Sequence, residues 1–259
     1  MTFYQQISSL ERQRAIHELI EKQRRISVEA ICEVFSISEA TARRDLESLA
    51  FEGKVQRVRG GAICVEQAPP ELPILQREND QTDEKDRIGK AVARLIGPGE
   101  TIFLGSGTTV LAVARQLHHC QNLTVLTNSL PIINLLVGCS GINIIVLGGM
   151  LRDSELSFIG HITEKALSEV RADKVIMGAR AISIEHGITN DFLLETLTDR
   201  AITKIGQKVI LAADHTKFGS VSAAVLSPIK DIDVIVTDDK IDKEYLDLLK
   251  EIQVEVIIA

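Results

Sequence analysis

Residues 27–63 read SVEAICEVFSISEATARRDLESLAFEGKVQRVRGGAI and decide the fold of the N-terminal part of the chain. Ser27 and Ser38 each stand before a helical pattern, where a serine hydroxyl can accept a hydrogen bond from a free backbone N–H group. Gly53 marks the end of the helix that follows Ser38, because glycine readily adopts the conformation that terminates a helix. The apolar spacing from Leu10 to Arg24 predicts one more helix in front of them. The sequence therefore predicts three consecutive helices.

The helix predicted after Ser38 has two chemically different faces. Ala42, Leu46 and Leu49 share one face and can pack against the other two helices. The opposite face is small and charged, and it consists of Ala40, Arg43, Arg44 and Glu47. Because a guanidinium can bind a guanine edge or a phosphate bidentately, this face is a candidate for the major groove of DNA.

A basic hairpin is predicted directly after this helix, in KVQRVRGG (54–61). Its polar residues surround Val55 and Val58, and the Gly60-Gly61 pair can close a two-stranded wing that reaches the DNA backbone or the minor groove. A three-helix unit with a solvated charged face is the alternative that these residues leave open. The candidate DNA-binding residues are Ser38, Glu39, Ala40, Thr41, Arg43, Arg44, Lys54, Arg57 and Arg59.

The 259 residues carry a net charge of -7, and this charge is unevenly distributed. Residues 1–65 carry +1, whereas the rest of the chain carries -8. A nearly neutral head with basic clusters on an acidic body is typical of a DNA-binding unit fused to a regulatory domain. Residues 66–83 hold three of the six prolines, which favours a linker. The predicted organisation is therefore a head (1–65), a linker (66–83) and a body (84–259).

The four cysteines match neither a zinc-binding spacing nor a disulfide scaffold. The N-terminus turns polar at once, and no apolar run reaches the length of a membrane span. We therefore expect a cytoplasmic protein that uses no metal and no cofactor and does not enter a membrane.

From about residue 84, short apolar β-branched runs alternate with segments of helical length. Runs that are apolar on both faces predict an α/β fold with a mostly parallel sheet that is covered by helices on both sides. The seven runs are 101–105, 123–127, 142–149, 174–178, 208–213, 233–237 and 254–259.

The sequence LGSGTTV (104–110) lies between a predicted strand and a predicted helix. Such a turn places free N–H groups and hydroxyls where a phosphate can bind, at Gly105, Ser106, Gly107, Thr108 and Thr109. Its spacing matches neither a nucleotide P-loop nor a full dinucleotide-binding motif. A tight strand-to-helix turn without a ligand is an equal alternative.

Other predicted strands also end in small or polar residues. Because ligands of open α/β sheets bind at the carboxyl ends of the strands, these points can share one pocket. Ordinary turn chemistry is the alternative at each point taken singly. The points are Thr127-Asn128-Ser129, Gly148-Gly149 with Arg152, Gly187-Ile188-Thr189, and Asp214 with Lys217 and Gly219.

The stretch 27–63 resembles the DNA-binding head of the DeoR family of bacterial sugar-operon regulators. The T-apolar-R-R-D core of that family matches Thr41 to Asp45, and the wing carries the family's RGGA. Ala42 is smaller than the usual Ile or Val. Phe51 replaces a residue that is usually polar, and it can pack either under the wing or on a partner chain.

Residues 75–257 resemble the effector domain of the same family. The matching motifs are GSGTT, TNS at 127–129, GGxxR at 148–152, GIT at 187–189, Glu195 and ADHTKFG at 213–219. That domain is similar in fold to ribose-5-phosphate isomerase, and its ligands are mostly phosphorylated sugars or polyols. The resemblance implies that a phosphate binds the turn after Leu104 near Lys217, and that sugar hydroxyls meet Asn128, Arg152, Glu195 or Asp214.

Two positions depart from the family's pattern. Arg180 stands in a pair that is usually Asx-Gly, and Asp199 stands where a lysine often precedes Arg200. Our hypothesis is that Arg180 supplies a ligand-facing charge or pairs with Asp199. The candidate effector-binding residues are then Gly105, Ser106, Gly107, Thr108, Thr109, Asn128, Ser129, Arg152, Arg180, Glu195, Asp214 and Lys217.

The resemblance implies a transcriptional repressor of a carbohydrate operon, which binds double-stranded operator DNA as a homodimer or homotetramer and is released by a phosphorylated sugar or polyol. A sugar-phosphate isomerase is the competing class, but GARAI (178–182) lacks the carboxylate base that the isomerases carry in that loop. A DNA-bound structural protein with a vestigial body is the third alternative. A regulator would couple its two sites, and rotation of the heads about residues 66–83 is the expected route.

Overall fold

The computed structural model describes residues 8–23, 25–64 and 66–259. Residues 1–7, Arg24 and Val65, which belong to the predicted head, lie outside the described residues. The head consists of helices α1 (Ser9–Gln23), α2 (Val28–Phe35) and α3 (Glu39–Phe51), and of strands β1 (Arg25–Ser27), β2 (Val55–Val58) and β3 (Gly61–Cys64). The strands form an antiparallel sheet in the order β1-β3-β2, so the predicted winged helix-turn-helix is confirmed.

The helix starts in the head follow the predicted capping chemistry. Ser27 Oγ accepts a hydrogen bond from the Ala30 N–H at 3.1 Å, and Ser38 Oγ accepts one from the Thr41 N–H at 3.3 Å. Ser36, between α2 and α3, adopts a left-handed conformation that turns the chain sharply. These local interactions set the angle at which α3 leaves α2.

The head is held together by an apolar core and by one buried carboxylate. The predicted inner residues of α3 are buried against apolar residues of α1 and α2. Asp45 is 3% exposed and accepts hydrogen bonds from Arg12 Nε at 2.6 Å and from Gln13 Nε2 at 3.1 Å. This network joins α3 to α1 and fixes the orientation of the helix that carries the arginine pair.

The wing differs from the prediction at its turn. Arg59 and Gly60 close the hairpin, and Gly60 has a φ of 84°. Gly61 instead begins β3 opposite Val58, and a side chain there would collide with the carbonyl oxygen of Ile26 in the neighbouring strand. The Gly60-Gly61 turn that we predicted is therefore displaced by one residue.

Two other residues of the head are placed in unexpected surroundings. Gln56 is only 2% exposed, because its Oε1 accepts a hydrogen bond from the Tyr245 hydroxyl of the body at 2.6 Å. Phe51 is 92% exposed, so packing under the wing is wrong for this residue. Only the partner-chain alternative remains for Phe51.

The rest of the chain contains fourteen further strands and seven further helices among the described residues. After β4 (Glu66–Gln67), the strands are β5 (Thr101–Leu104), β6 (Leu123–Thr127), β7 (Ile142–Val146), β8 (Met150–Arg152), β9 (Ser157–Ile159), β10 (Ala172–Met177), β11 (Ala181–Ser183), β12 (Gly187–Asn190), β13 (Gly206–Ala212), β14 (Ser220–Val221), β15 (Ala224–Ser227), β16 (Val234–Thr237) and β17 (Glu255–Ile258). The helices are α4 (Ile74–Arg77), α5 (Thr82–Ala93), α6 (Thr108–Arg115), α7 (Leu130–Leu136), α8 (His161–Ser168), α9 (Leu193–Thr203) and α10 (Lys243–Glu251).

All seven predicted runs form one parallel sheet in the order β17-β16-β13-β10-β5-β6-β7. Phe103 of β5 packs into the core under α8, α9 and α10, whereas Ile102 and Leu104 pack into the core under α5, α6 and α7. The α/β fold with helices on both sides is therefore confirmed. The short strands outside this sheet were not predicted, since two to four residues leave too little periodicity to recognise.

The order of the strands creates a switch point between β5 and β10. The chain continues from β5 through β6 to β7 at one edge, then returns to the other side of β5 with β10 and continues outward. Connections that leave two neighbouring strands in opposite directions open a crevice at their carboxyl ends. The predicted phosphate-binding turn follows β5 and therefore lies at this crevice.

Residues 66–83, which we expected to form a linker, are packed onto the body. Strand β4 pairs with β14, and Ile74 of α4 is 1% exposed with its N–H donating to the Ser154 carbonyl at 2.7 Å. The prolines indicated an extended chain, but a buried apolar residue and the ion pair of Arg77 with Glu155 anchor this segment. Within the described ranges, no helix is long and apolar enough to cross a membrane.

We expect Asp45→Asn to lower the free energy of unfolding of the head by about 1.5–3 kcal/mol, because it removes the buried charge that two half-buried donors share. Urea unfolding followed by circular dichroism at 222 nm measures this loss. Glu47→Gln on the exposed face of the same helix is the matched control. Equal stability of the two variants would show that the Asp45 network does not hold α1 against α3.

Candidate DNA-binding face and effector cleft

The outer face of α3 is exposed as predicted. Arg43 and Arg44 are both exposed, and Arg43 forms an ion pair with Glu39 at 3.3 Å. The Arg57 guanidinium donates to the Arg43 carbonyl at 2.9 Å, which joins the wing to the helix. Both elements can therefore meet one DNA duplex as a unit.

Most of the other DNA-binding candidates lie at the borders of this face. Ser38, Glu39 and Ala40 are exposed at the start of α3, while the Thr41 hydroxyl is half-buried and lies 3.0 Å from Ser38 Oγ. Lys54 and Arg59 are exposed at the two ends of β2. Arg57 joins the wing to α3, and the placement of all nine residues against DNA stays a prediction. Gln56 is the only polar wing residue between Lys54 and Arg59 that the body covers.

A cleft opens at the carboxyl ends of β5 and β10. Eight of the predicted effector-binding residues line it, namely Gly105, Ser106, Gly107, Thr108, Thr109, Arg180, Glu195 and Lys217. The lining residues that sequence reasoning missed are Glu71, Arg77, Glu155, Met177, Gly178, Ala179, Asn190 and Asp191, and Asp199 completes the wall. Glu71 and Arg77 carry no local signal, because they belong to the segment whose composition indicates a linker.

The turn after β5 has the conformation that an anion site requires. Gly107 precedes α6 with a φ of 108°, which only glycine adopts readily, and no atom lies within 4 Å of the position of a side chain there. The Gly105 N–H donates to the Ile176 carbonyl at 2.9 Å and so ties the end of β5 to β10. The free N–H groups at the start of α6 and the Thr108 and Thr109 hydroxyls favour a bound phosphate.

Four predicted residues do not line the cleft. Asn128 and Ser129 are each 1% exposed, and Asn128 Nδ2 donates to the Phe158 carbonyl at 2.9 Å. Asp214 is 1% exposed and accepts a hydrogen bond from the Thr216 N–H at 3.0 Å, which caps the short turn that carries Lys217. These three residues shape the strand ends instead of facing the cleft.

Arg152 is the fourth of these residues, and it contacts the cleft through Glu195. Its guanidinium forms an ion pair with Glu195, lies 3.7 Å from Asp191 and stacks over the Phe192 ring at 4.6 Å. Ser157 Oγ donates to the other Glu195 oxygen at 3.1 Å. The cleft therefore presents the Glu195 carboxylate in a fixed orientation.

Burial makes the carboxyl groups of the cleft weaker acids than usual. It raises the pKa of Glu155 to about 7, although the positive charge of Arg77 opposes this shift. Burial also raises the pKa of Glu195, and burial together with the Glu195 charge raises the pKa of Asp199 well above its usual value. Groups of this kind can accept or donate hydrogen bonds to sugar hydroxyls without strongly repelling a phosphate.

The predicted pairing of Arg180 with Asp199 is not formed. Arg180 donates to the Pro69 carbonyl, whereas Asp199 Oδ2 accepts a hydrogen bond from Asn190 Nδ2 at 2.8 Å. Because Asn190 already satisfies Asp199, the charge of Arg180 stays available to a ligand in the same cleft. Among the described residues, no group of three His, Cys, Asp or Glu side chains has a metal-binding arrangement.

Two family models match this chain. The model described as DeoR C terminal sensor domain matches residues 80–239, and the DeoR-like helix-turn-helix domain matches residues 12–68. Among solved structures, the chain is similar to ribose 5-phosphate isomerase A from Methanocaldococcus jannaschii, with 16% identity over 54% of this chain and 55% of that chain and a TM-score of 0.40.

Several relatives match over most of their own length. The HTH-type transcriptional regulator IolR of Bacillus subtilis is 32% identical over 90% of this chain and 93% of its own. The transcriptional repressor AccR of Agrobacterium fabrum is 36% identical over 89% and 90%, and the glycerol-3-phosphate regulon repressor of Escherichia coli is 36% identical over 88% and 90%. The regulator function that the sequence predicted is therefore confirmed over the isomerase alternative. The chain belongs to the DeoR family of transcriptional regulators.

Proposed function

We propose that this protein represses a carbohydrate-utilisation operon and leaves its operator when a phosphorylated sugar or polyol binds the cleft. The observation that carries this proposal is the convergence of the Gly105–Thr109 turn, Lys217 and the buried carboxyl groups on one cleft at the switch point. The relative named for the glycerol-3-phosphate regulon supports the same class of ligand.

The head (1–65) would bind double-stranded DNA with α3 in the major groove. Arg43 and Arg44 would contact base edges or phosphates, while Arg57 and Arg59 of the wing would contact the flanking backbone. Helix-turn-helix proteins read paired half-sites through two-fold symmetry. We therefore propose a homodimer or homotetramer that acts on operator DNA in the bacterial cytoplasm.

The body (84–259) would bind the effector in two parts. The phosphate would accept hydrogen bonds from the N–H groups and hydroxyls of the turn after β5, with Lys217 and Arg180 supplying positive charge. The hydroxyl groups would face Glu195, Asn190 and Asp199 on the opposite wall. Asn128, Ser129, Arg152 and Asp214 would position these elements without direct contact.

Capture of genomic fragments by the purified protein, with and without a panel of sugar and polyol phosphates, tests the whole proposal. We expect one promoter region to be enriched and then released by one phosphorylated ligand. Absence of enrichment at low salt, where phosphate contacts are strongest, would contradict DNA binding by the head. Enrichment that no phosphorylated ligand changes would contradict the effector assignment.

We expect Arg43→Ala and Arg44→Ala each to weaken operator binding by about 5- to 150-fold, since a good bidentate contact to a base contributes about 1–3 kcal/mol of discrimination. Electrophoretic mobility shifts or fluorescence anisotropy on the captured operator measure this change. Arg171→Ala, on an exposed arginine of the body, is the matched control. An unchanged affinity for both head variants would exclude the α3 face as the recognition surface.

Lys217→Gln should weaken effector binding by about 10- to 100-fold, because it removes a charged hydrogen-bond donor to the phosphate. The concentration of effector that releases the operator should rise by a similar factor, while operator affinity without effector should not change. Titration calorimetry with the identified ligand measures the first quantity. Lys204→Gln removes the same charge at an exposed position of the body. Its effector affinity and operator affinity should equal those of the unchanged protein.

Arg180→Ala should also weaken effector binding, by about 5-fold or more, because its guanidinium is not committed to Asp199. Calorimetry with the same ligand provides the measurement. An affinity equal to that of the unchanged protein would show that Arg180 only holds the chain at Pro69.

A further inference from the structure

Arg77 lies on the segment between the head and the body, and its guanidinium forms part of the cleft wall. It is bound on three sides by the protein itself. Its terminal nitrogens lie 2.7 Å from the Glu71 carboxylate and 2.6 Å from Glu155 Oε2, and its Nε donates to the Leu72 carbonyl at 2.7 Å. The side chain is only 12% exposed, so these contacts are made largely out of water.

Glu71 is the partner of Arg77 that also lines the cleft from the connecting segment. Its backbone N–H donates to Asp191 Oδ2 at 3.3 Å, which keeps it at the edge of the cleft. Its carboxylate pairs with the Arg77 guanidinium, and Arg77 lines the same cleft as the Gly105–Thr109 turn. A carboxylate and a phosphate bind the same fork of guanidinium donors, so the two groups compete for Arg77.

The segment that carries Glu71 and Arg77 is tied to the cleft at several points. We define residues 66–77 as the strap. At its start, the Ala68 N–H donates to the Val221 carbonyl at 2.9 Å, and Val221 follows Lys217 by four residues. Further along, the Pro69 carbonyl accepts a hydrogen bond from Arg180. Arg77 of the strap therefore pairs with the body at Glu155, and Arg180 of the body holds the strap at Pro69.

The strap also continues directly from the wing. Strand β3 ends at Cys64, two residues before β4 begins. The wing is held on the body by the hydrogen bond from the Tyr245 hydroxyl to Gln56, and the Tyr245 ring packs edge-on against Phe218, the residue after Lys217, with ring centroids 5.6 Å apart. A displacement of the strap from the cleft would thus act on the head through a short and continuous connection.

We propose that Arg77 is an effector-binding residue and that the Glu71 carboxylate occupies its anion position until the phosphate of the effector replaces it. Because Glu71 and Arg77 both belong to the strap, the replacement rearranges the strap on the cleft wall and so alters the docking of the head. This inference rests on the proposed function and assigns its regulation to two residues. DNA binding belongs to the arrangement in which Glu71 holds Arg77 and the wing is docked on the body, with α3 exposed.

Competition of this kind fixes the direction of every effect. A ligand that binds Arg77 only after Glu71 has left it has its affinity reduced by the fraction of molecules in which Glu71 still holds Arg77. Weakening the Glu71 contact should therefore tighten ligand binding and weaken operator binding without ligand. Removing Arg77 itself should weaken ligand binding, because the phosphate then loses a donor.

The test uses the full-length protein in phosphate-free buffer with inorganic phosphate as the probe. We expect Glu71→Gln to bind phosphate about 5-fold tighter or more than the unchanged protein, and Arg77→Gln to bind it at least about 10-fold more weakly. Asp80→Asn, an exposed carboxylate just beyond the strap, is the control for charge alone and should change neither value. Thermal unfolding of each variant shows whether it is folded, and Arg77→Lys provides a milder change at the same position.

Amide hydrogen exchange gives a second readout that does not depend on affinity. Added phosphate should change the exchange of the Ala68 and Ile74 amides, which donate to carbonyl groups of the body. Glu71→Gln should show part of this change without phosphate. Unchanged exchange of these amides on phosphate binding would overturn the rearrangement of the strap.

The outcomes separate this inference from the proposed function. In the first outcome, the unchanged protein binds phosphate and leaves its operator with a phosphorylated ligand, but Glu71→Gln binds phosphate no more tightly than Asp80→Asn. The role of Glu71 is then wrong, and the proposed function stands. If neither the unchanged protein nor Glu71→Gln binds phosphate or any phosphorylated ligand, the anion site itself is wrong and both proposals fail.

Discussion

The parallel pairing of β5 with β10 is the constraint on which the ligand-binding half of the protein depends. The connections that follow these two strands leave in opposite directions, so no connection fills the space at the carboxyl ends of the strands. The Gly105 N–H and the Ile176 carbonyl hold the two ends together and leave Gly107 free to turn the chain into α6. The cleft, its glycine turn and its acidic wall all follow from this single adjacency.

The charges of the cleft explain how an acidic body can receive an anion. Three cations, Arg77, Arg180 and Lys217, face a wall of five carboxyl groups. Burial raises the pKa of three of these acids, so the wall repels a phosphate less than the number of its acids indicates. The protein's own groups, the Glu71 carboxylate and the Pro69 carbonyl, engage two of the cations.

Contacts between the head and the body give this site a physical connection to DNA. The Tyr245–Gln56 hydrogen bond and the Arg25–Glu244 ion pair both join α10 to strands of the head. The hydrogen bond is the more consequential of the two, because it is buried, whereas the Arg25 side chain of the ion pair is 54% exposed. A coupling of about 1–3 kcal/mol between effector and operator needs no more than a few such contacts to change.

The sequence by itself determined the elements that depend on local chemistry. These were the capped helices of the head, the arginine face of α3, the seven strands of the parallel sheet and the glycine turn after β5. Each of them depends on residues that are neighbours in the sequence. Only the tertiary structure decided which residues meet across the chain. It buried Gln56 under Tyr245, moved Asn128 and Asp214 out of the cleft, and brought Glu71 and Arg77 into it. Those positions depend on pairing between distant segments, which local periodicity and composition do not record.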